Sequence, residues 1–491
     1  MRRIAQAGAT LAAVPLLLGT VLGLRAQMPS PVRHAEHAFR VAVPQKHRSV
    51  RSTRPPVRSH PAPTGTPPAT GTPLPASIVS QPPEGPAAGS ARALRALHRD
   101  LWLHAQGTQL YTAWGTKVTL KAVNWYGFEY APFVPAGLDR APLDSILRTI
   151  HRLGFNALRI MYADATVRAN PVVTTGLDAN PRLRGMHALQ IMGVLLKRAH
   201  RFRLRVILCN SRSEAGMGPE YSTGLWYTAQ YPESVWEADW LELAHLFRHD
   251  SAFVGADLRN EPHLTSGHPT IQNYVNQGPL WGAYQGTYYY SRDWHYAAQT
   301  LGNRLLAVNP HLLIVVEGVQ MYFNPYTGKF TGGLWGSNLV GVQFDPITLD
   351  RPGQLVYSVH EYGPQMYLAH WFNSSTTFAS LMRHWTKHWG YLLTAPPWMQ
   401  APIFVGEFGT CNNYYSCTVS RNPLKQGFWF TAFVRYMRAH PQVGWAYWAL
   451  NPMGPFKPNV PNYYALMTPD WRHYHRSLVT ALQPLLREPS G

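Results

Sequence analysis

Two glutamates in this 491-residue chain stand where short apolar runs break into polar loops. Glu407 lies in Ile403-Phe404-Val405-Gly406-Glu407-Phe408-Gly409, and Glu261 in Arg259-Asn260-Glu261-Pro262-His263, after the apolar run 254–258. The glycines let backbone pass close to a ligand, and Pro262 stops a strand and fixes the turn that aims the preceding carboxylate. Two carboxylates facing each other across a cleft are the minimum equipment for cutting a glycosidic bond. One attacks the anomeric carbon and the other protonates the leaving oxygen. Their settings must be opposite: the nucleophile stays ionised beside a cation and hydrogen-bond donors, whereas the acid holds a proton through burial or a nearby negative charge. The alternative for each glutamate is an ion pair at a loop. Asn-Glu-Pro arises by chance in about 6% of chains this long, so its surroundings must support it.

Those surroundings alternate short apolar runs with helical stretches, the pattern of a parallel sheet with covering helices. Eight strand candidates end near Asn124, Met161, Asn210, Arg259, Glu317, His360, Gly406 and Trp448. Helices are expected at 142–153, 187–202, 234–247, 294–308, 376–389, 423–439 and 477–482, with no long helix in the fifth unit. In 187–202 the set Leu189, Met192, Leu195, Leu196, Ala199 keeps the 3.6 period. Segments 103–111 and 118–121, around Trp114-Gly115, read as a hairpin capping the bottom of a (β/α)8 TIM barrel. Such a barrel carries its site at the C-terminal ends of the strands. Asn124, Arg159, Asn260, Glu261, His360, Tyr362, Glu407 and Trp448 all fall at or within two residues of those ends.

With these motifs in order, residues from about 101 to 486 resemble glycoside hydrolase family 5, in particular bacterial endo-β-1,4-glucanases. The resemblance runs through Asn124-Trp125-Tyr126-Gly127-Phe128-Glu129, Leu158-Arg159-Ile160, Asn260-Glu261-Pro262-His263, Val316-Glu317-Gly318-Val319-Gln320, His360-Glu361-Tyr362, Gly406-Glu407-Phe408-Gly409 and Trp448-Ala449-Leu450-Asn451-Pro452. It implies Glu261 as acid/base and Glu407 as nucleophile of a retaining double displacement. Arg159 and Tyr362 would keep Glu407 ionised, His360 would serve the proton traffic of Glu261, and Asn260 would bond the sugar 2-hydroxyl. Trp448 would be the platform under the sugar, with Asn124, Trp125 and Ser211 completing the substrate contacts. Blander roles are a strand-end salt bridge for Arg159, a core histidine for His360 and core packing for Trp448. Glu317 reads as structural, bonding loop backbone. The mechanism calls for no cofactor or metal.

Composition sets the frame. Residues 1–95 hold 12 Lys or Arg against two acids, so most of the +19 formal charge sits in a tail rather than on the folded part. That favours a solvated linker over nucleic-acid binding, and no specific nucleic acid is expected as a partner. Arg2 and Arg3 precede an uncharged segment at 4–24, the pattern of an export signal, with an uncleaved membrane anchor as the alternative. Residues 1–27 are therefore assigned to a signal peptide or anchor. Residues 28–95 form a Pro-rich, basic, disordered linker; the stretch 28–89 holds 14 of the 42 prolines. Residues 96–491 form the catalytic domain, expected to be a monomer that is secreted, extracellular or periplasmic. Of three cysteines, Cys411 and Cys417 are close enough in sequence to pair, leaving Cys209 buried and free.

Two departures stand out. Family members of this branch carry a histidine after the third strand in an Asp-Arg-His-like turn, where this chain reads Cys209-Asn210-Ser211. Ser211, Asn210 or His263 are candidates to replace it. The loop 264–293, with Tyr274, Trp281 and Tyr284, reads either as a cleft wall or as a cover packed on the barrel. The substrate implied is a β-glucan polysaccharide or oligosaccharide. A mannanase, mixed-linkage glucanase or transglycosylase are rivals within the family, and a non-catalytic carbohydrate-binding protein is the rival from another class.

Overall fold

The computed structural model describes residues 100–265, 271–454 and 460–487. The expected export segment and the whole of the linker lie outside the described residues. Eight parallel strands close a barrel: β4 (Lys121–Trp125), β5 (Ala157–Ala163), β6 (Arg205–Arg212), β7 (Phe253–Asp257), β8 (Leu313–Glu317), β11 (Leu355–Glu361), β12 (Ile403–Phe408) and β13 (Gly444–Tyr447), which returns to β4. Each begins or ends within a few residues of the sequence expectation.

The two-residue period of the strands sorts their side chains. Ala122, Ala157, Ile207, Leu313, Val315, Val356, Phe404 and Ala446 fill the lower interior, and their alternates Val123, Leu158, Leu208, Ile314, Tyr357, Val405 and Trp445 join the layer under the helices. Both strand faces are thus buried, which is why the runs are almost wholly apolar.

The bottom is closed by β1 (Leu103–Gln106), β2 (Gln109–Thr112) and β3 (Lys117–Val118). The sequence suggested one hairpin; the chain turns twice, at Gly107 (φ +57°) and Gly115 (φ +79°), and makes three antiparallel strands. Leu101, Leu103, Leu110, Val118 and Leu120 pack on the lower interior layer.

Helices follow seven of the eight strands. In Leu143–Arg152 the buried set Leu143, Ile146, Leu147, Ile150 forms one stripe, with Asp144 in the first turn and His151 and Arg152 in the last, where each suits the helix dipole. The fifth unit has instead the hairpin β9 (Met321–Asn324) and β10 (Lys329–Gly332), followed by a short turn of helix at Val340–Gln343. Among the described residues no helix is long and apolar enough to cross a membrane.

Three helix tryptophans fix the strand ends that matter next. Trp236 and Trp240, on Glu233–Leu246, donate their indole N–H to the Leu258 carbonyl at 2.9 and 3.0 Å. Trp294, opening Trp294–Val308, donates to the Glu317 carbonyl at 2.8 Å. These bonds satisfy carbonyls that leave the barrel ladder and hold the ends of β7 and β8.

Candidate active site

Glu407 ends β12 with both carboxylate oxygens engaged. Arg159 Nη1 donates to Oε1 and the Tyr362 hydroxyl to Oε2, each at 2.8 Å. Gly406 precedes it because a Cβ there would stand 2.8 Å from Ser358 Oγ and 3.0 Å from His360 Nε2. Gly409 follows because a Cβ would meet the Trp448 carbonyl at 2.4 Å. The Gly-Glu-Phe-Gly motif is therefore a consequence of how tightly the strand passes His360 and Trp448.

Glu261 stands beyond β7 with φ +51°, a left-handed conformation that costs a residue with a side chain about 1–3 kcal/mol. Two bonds hold it there. Its N–H donates to Glu317 Oε2 at 2.8 Å, and the N–H of Asn260 donates to the Asn210 carbonyl at 2.9 Å. Its Oε1 faces His360 Nδ1 at 2.9 Å.

Beneath the pair lies a fully buried cluster. Arg159, on β5, reaches Asp257 (2.7 Å), Glu317 (2.9 Å) and Glu407 (2.8 Å), and donates to Asn124 Oδ1 and Asn260 Oδ1 at 3.0 Å. His360 Nε2 lies 3.1 Å from Glu317. Burial opposes the charge of His360, but Glu317 and Glu407 together with the bonds to Glu261 and Glu317 hold its pKa well above the usual imidazole value. Burial is the first cause that raises Glu261; the Glu407 charge adds to it, against the imidazole's pull the other way. Burial likewise pushes Glu317 up to about 7. Burial and the Glu407 charge thus shift Glu261 toward its protonated form, while Glu407 has a guanidinium and a phenol as partners.

The mouth of the barrel opens into a cleft of about 620 Å3. Strand order divides it along the line from Glu261 to Glu407. On the side of β8 and β11 it is lined by Met321, Leu334, Trp335, Met366, Tyr367 and Trp371; on the other by Trp448, Glu129, Met161, Ser211 and Tyr221. Trp448 is stacked on Tyr126 with ring centroids 5.5 Å apart. Asn260, Tyr362 and both catalytic candidates also line the cleft.

Several expectations need correction. Trp125 is not a substrate contact: it is the strand alternate of Asn124 and points outward into the core, packed on Trp471 and donating to the Ala136 carbonyl at 3.0 Å. Asn124 is inside but fully buried, carrying Arg159 and donating to the Gly406 carbonyl at 2.9 Å. Arg159 and His360 are also fully buried and act on the carboxylates rather than on substrate. Ser211 does line the cleft. Neither alternative takes the place of the missing histidine. Asn210 is committed to Asp164 and Arg259. His263 is buried, with burial lowering its pKa to about 4; its Nδ1 meets the Glu261 carbonyl at 2.6 Å and its ring stacks on Trp335 at 3.7 Å.

In loop 264–293 the cover reading holds for Tyr274, Trp281 and Tyr284, while Tyr288, Tyr289 and Tyr290 are exposed. Tyr274 and Trp281 are buried, Trp281 donates to the Asp345 carbonyl at 2.8 Å, and Tyr284 packs on Phe323 of the β9–β10 hairpin. Leu264 and Thr265 alone of its described residues line the cleft, while the hairpin it buttresses supplies Met321 and Gly332. The sequence reading passed over Trp335, Glu129, Tyr221 and His370, which also line the cleft. Glu129 was legible within the first motif, but nothing in its spacing marked it as a cleft carboxyl, buried and pushed up to about 8. Cys411 and Cys417 form a disulfide, and Cys209 is buried and free.

Glu261, His360 and Glu407 each offer an atom within 4.8 Å of the others, close enough geometrically to surround a cation. The carboxylate neighbours, however, raise the pKa of the imidazole well above its usual value, which favours the protonated ring over the lone pair a metal needs. The same closeness suits another use. Oxygens of Glu261 and Glu407 within 4.8 Å fall short of the separation of about 6.5–9.5 Å at which an inverting pair holds a water.

A family model described as cellulase (glycosyl hydrolase family 5) matches residues 115–454. The chain belongs to glycoside hydrolase family 5. Among its relatives, the endoglucanase of Paenibacillus polymyxa is 34% identical over 379 residues, 76% of this chain and 84% of that protein. An endocellulase from Pyrococcus horikoshii superimposes with a TM-score of 0.67 at 30% identity, covering 78% of this chain and 98% of the other; a variant of it was solved with cellotetraose. The catalytic domain of the major endoglucanase from Xanthomonas campestris pv. campestris gives 0.64 at 27% identity, over 79% of this chain and all of that one. The two solved structures share the barrel described above.

Proposed function

We propose that the protein is an exported endo-β-1,4-glucanase that cuts internal bonds of cellulose or related β-glucans with retention. The family and the endoglucanase relatives supply the activity; the observation that carries the mechanism is the close approach of Glu261 to Glu407, each with opposite support. Export rests on the charged start and apolar segment of the sequence.

In the first step Glu407 attacks the anomeric carbon as Glu261 gives its proton to the departing oxygen, leaving a glycosyl ester on Glu407. Arg159 and Tyr362 spread the nucleophile's charge before attack and receive it again when the ester breaks. In the second step Glu261, now ionised beside charged His360, takes a proton from water, whose oxygen displaces Glu407. Asn260 meets the sugar from beside the pair, and Trp448 underlies it.

The test is a panel of carboxymethyl cellulose, β-glucan, mannan and xylan with wild type, Glu261→Gln and Glu407→Gln. Release of reducing ends from β-1,4-glucans by wild type alone supports the reading. Preference for mannan or xylan moves the assignment to another sugar, and no release from any polymer would leave a binding protein.

A further inference from the structure

Outside the cleft the rim of the barrel carries large rings that the fold does not use. Tyr414 is 68% exposed and Tyr415 82%, both on the loop after β12; Tyr463, on the loop after β13, is 50% exposed. Tyr367, at 63%, stands on the loop after β11 and lines the edge of the cleft itself. A single exposed apolar residue needs no explanation. These differ in being gathered on three consecutive loops around the mouth and in being fixed there.

The Cys411–Cys417 disulfide closes the seventh loop into a small ring. Thr410 Oγ1 donates to the Cys417 carbonyl, and the Tyr447 hydroxyl donates to the Thr410 carbonyl at 2.9 Å. Asn412 joins this loop to the eighth: its N–H donates to the Tyr463 carbonyl at 2.7 Å and its side chain to the Ala465 carbonyl at 3.2 Å. Gln426 joins it to the sixth, accepting the Gln365 N–H at 3.2 Å and donating to the Gly409 carbonyl at 3.1 Å. Next to Tyr463, Tyr464 packs its ring 6.4 Å from that of Tyr362 in the cleft wall. The exposed rings are therefore continuous with the site through bonded neighbours.

We propose that Tyr414, Tyr415 and Tyr463 form an accessory surface that binds β-glucan chain beyond the sugars held in the cleft. This rests on the glucanase reading. The segment Cys411–Cys417 carries no charged side chain, which suits a neutral polysaccharide and gives nothing for phosphate to recognise. Aromatic faces pack against the C–H faces of sugar rings, and a covalently closed loop has little ordering entropy left to lose on binding.

The experiment compares Tyr414→Ala/Tyr415→Ala, Tyr463→Ala and Tyr415→Ala alone with the parent protein. In a Glu407→Gln background, partition onto amorphous cellulose is measured; in the active protein, kinetics on a long soluble β-1,4-glucan and on cellotetraose. The double variant should lose about five- to tenfold in affinity for cellulose, the worth of one or two ring contacts. Its KM on the long chain should rise by a similar factor at constant kcat, with kcat/KM on cellotetraose held within about twofold. Unchanged partition and KM overturn the proposal, as does an equal loss on both substrates. Tyr415→Ala, at the most exposed position, should show part of the effect with an unaltered melting temperature. If the parent releases no sugar from either substrate, the glucanase reading fails, while the cellulose partition still reads the surface by itself.

Discussion

The N–H of Glu261 donates to Glu317 Oε2 at 2.8 Å, so a carboxylate that touches no substrate holds the backbone of the proposed acid. The same side chain meets Arg159 at 2.9 Å and His360 at 3.1 Å. Glu317→Ala would strand a backbone donor, a guanidinium and an imidazole in the interior, and should destabilise the fold by about 3–5 kcal/mol. Glu317→Gln keeps an acceptor but removes negative charge beside His360, Asp257 and Glu261. Glu317 is the first of the charges that raise His360, so the pKa of His360 should then fall, and the alkaline limb of the pH profile of kcat/KM, where Glu261 loses a charged imidazole beside it, should move to lower pH, with KM changed far less than kcat.

Glu261→Ala and Glu407→Ala should fail differently. Loss of the acid is expected to cost about 10²–10⁴ in kcat/KM on natural substrate, less on a glucoside with a good leaving group, which needs no proton to depart. Added azide should then be captured as the β-azide, because Glu407 still forms the ester. Glu407→Ala should be inactive on both substrates, and any azide product should have the inverted, α configuration.

The two tryptophans of the first and last motifs provide a contrast. Trp125→Ala empties a core position and should cost about 3–5 kcal/mol in stability, read by denaturant melts, while the enzyme that remains folded keeps its kcat/KM. Trp448→Ala should lower kcat/KM about tenfold or more with a smaller change in stability.

Stability should fall between about pH 5 and 8. Glu361, buried between the indole N–H groups of Trp389 (2.8 Å) and Trp385 (3.2 Å), is pushed up to about 8, chiefly by burial. Asp164 is raised to about 7 and Glu129 to about 8 by the same cause. Groups raised in the folded state bind more protons folded than unfolded, so their contribution is complete below the unfolded carboxylate value and is lost as pH climbs through 7 and 8. Thermal melts across that range should show the decline, and Glu361→Gln, which still accepts one indole N–H, should flatten it.

How far the sequence could be read depended on whether the signal was local. The strands were legible because both faces are buried and the runs are continuous; Arg159, His360 and Tyr362 because each is a polar residue within or just past such a run. Trp125 was misplaced because the two-residue alternation decides its side, and the motif naming it shows only that it adjoins Asn124. The network of Glu317, Asp257 and Arg159 could not be read, since its members lie on three strands far apart in sequence and meet only when the barrel closes. Trp335 and Tyr221 sit on irregular loops, where no period announces which way a ring points.

Both ends of the described chain lie beneath the barrel, away from the cleft. Leu101 packs on the lower interior and its carbonyl accepts from Arg205 at 3.1 Å, while the Leu486 carbonyl accepts from Lys121 at 3.0 Å, each cation standing at the start of its strand. An attachment made at Leu101 or Leu486 would therefore start from the bottom of the barrel, on the side away from the mouth. An immobilised form should keep its rate on long glucans.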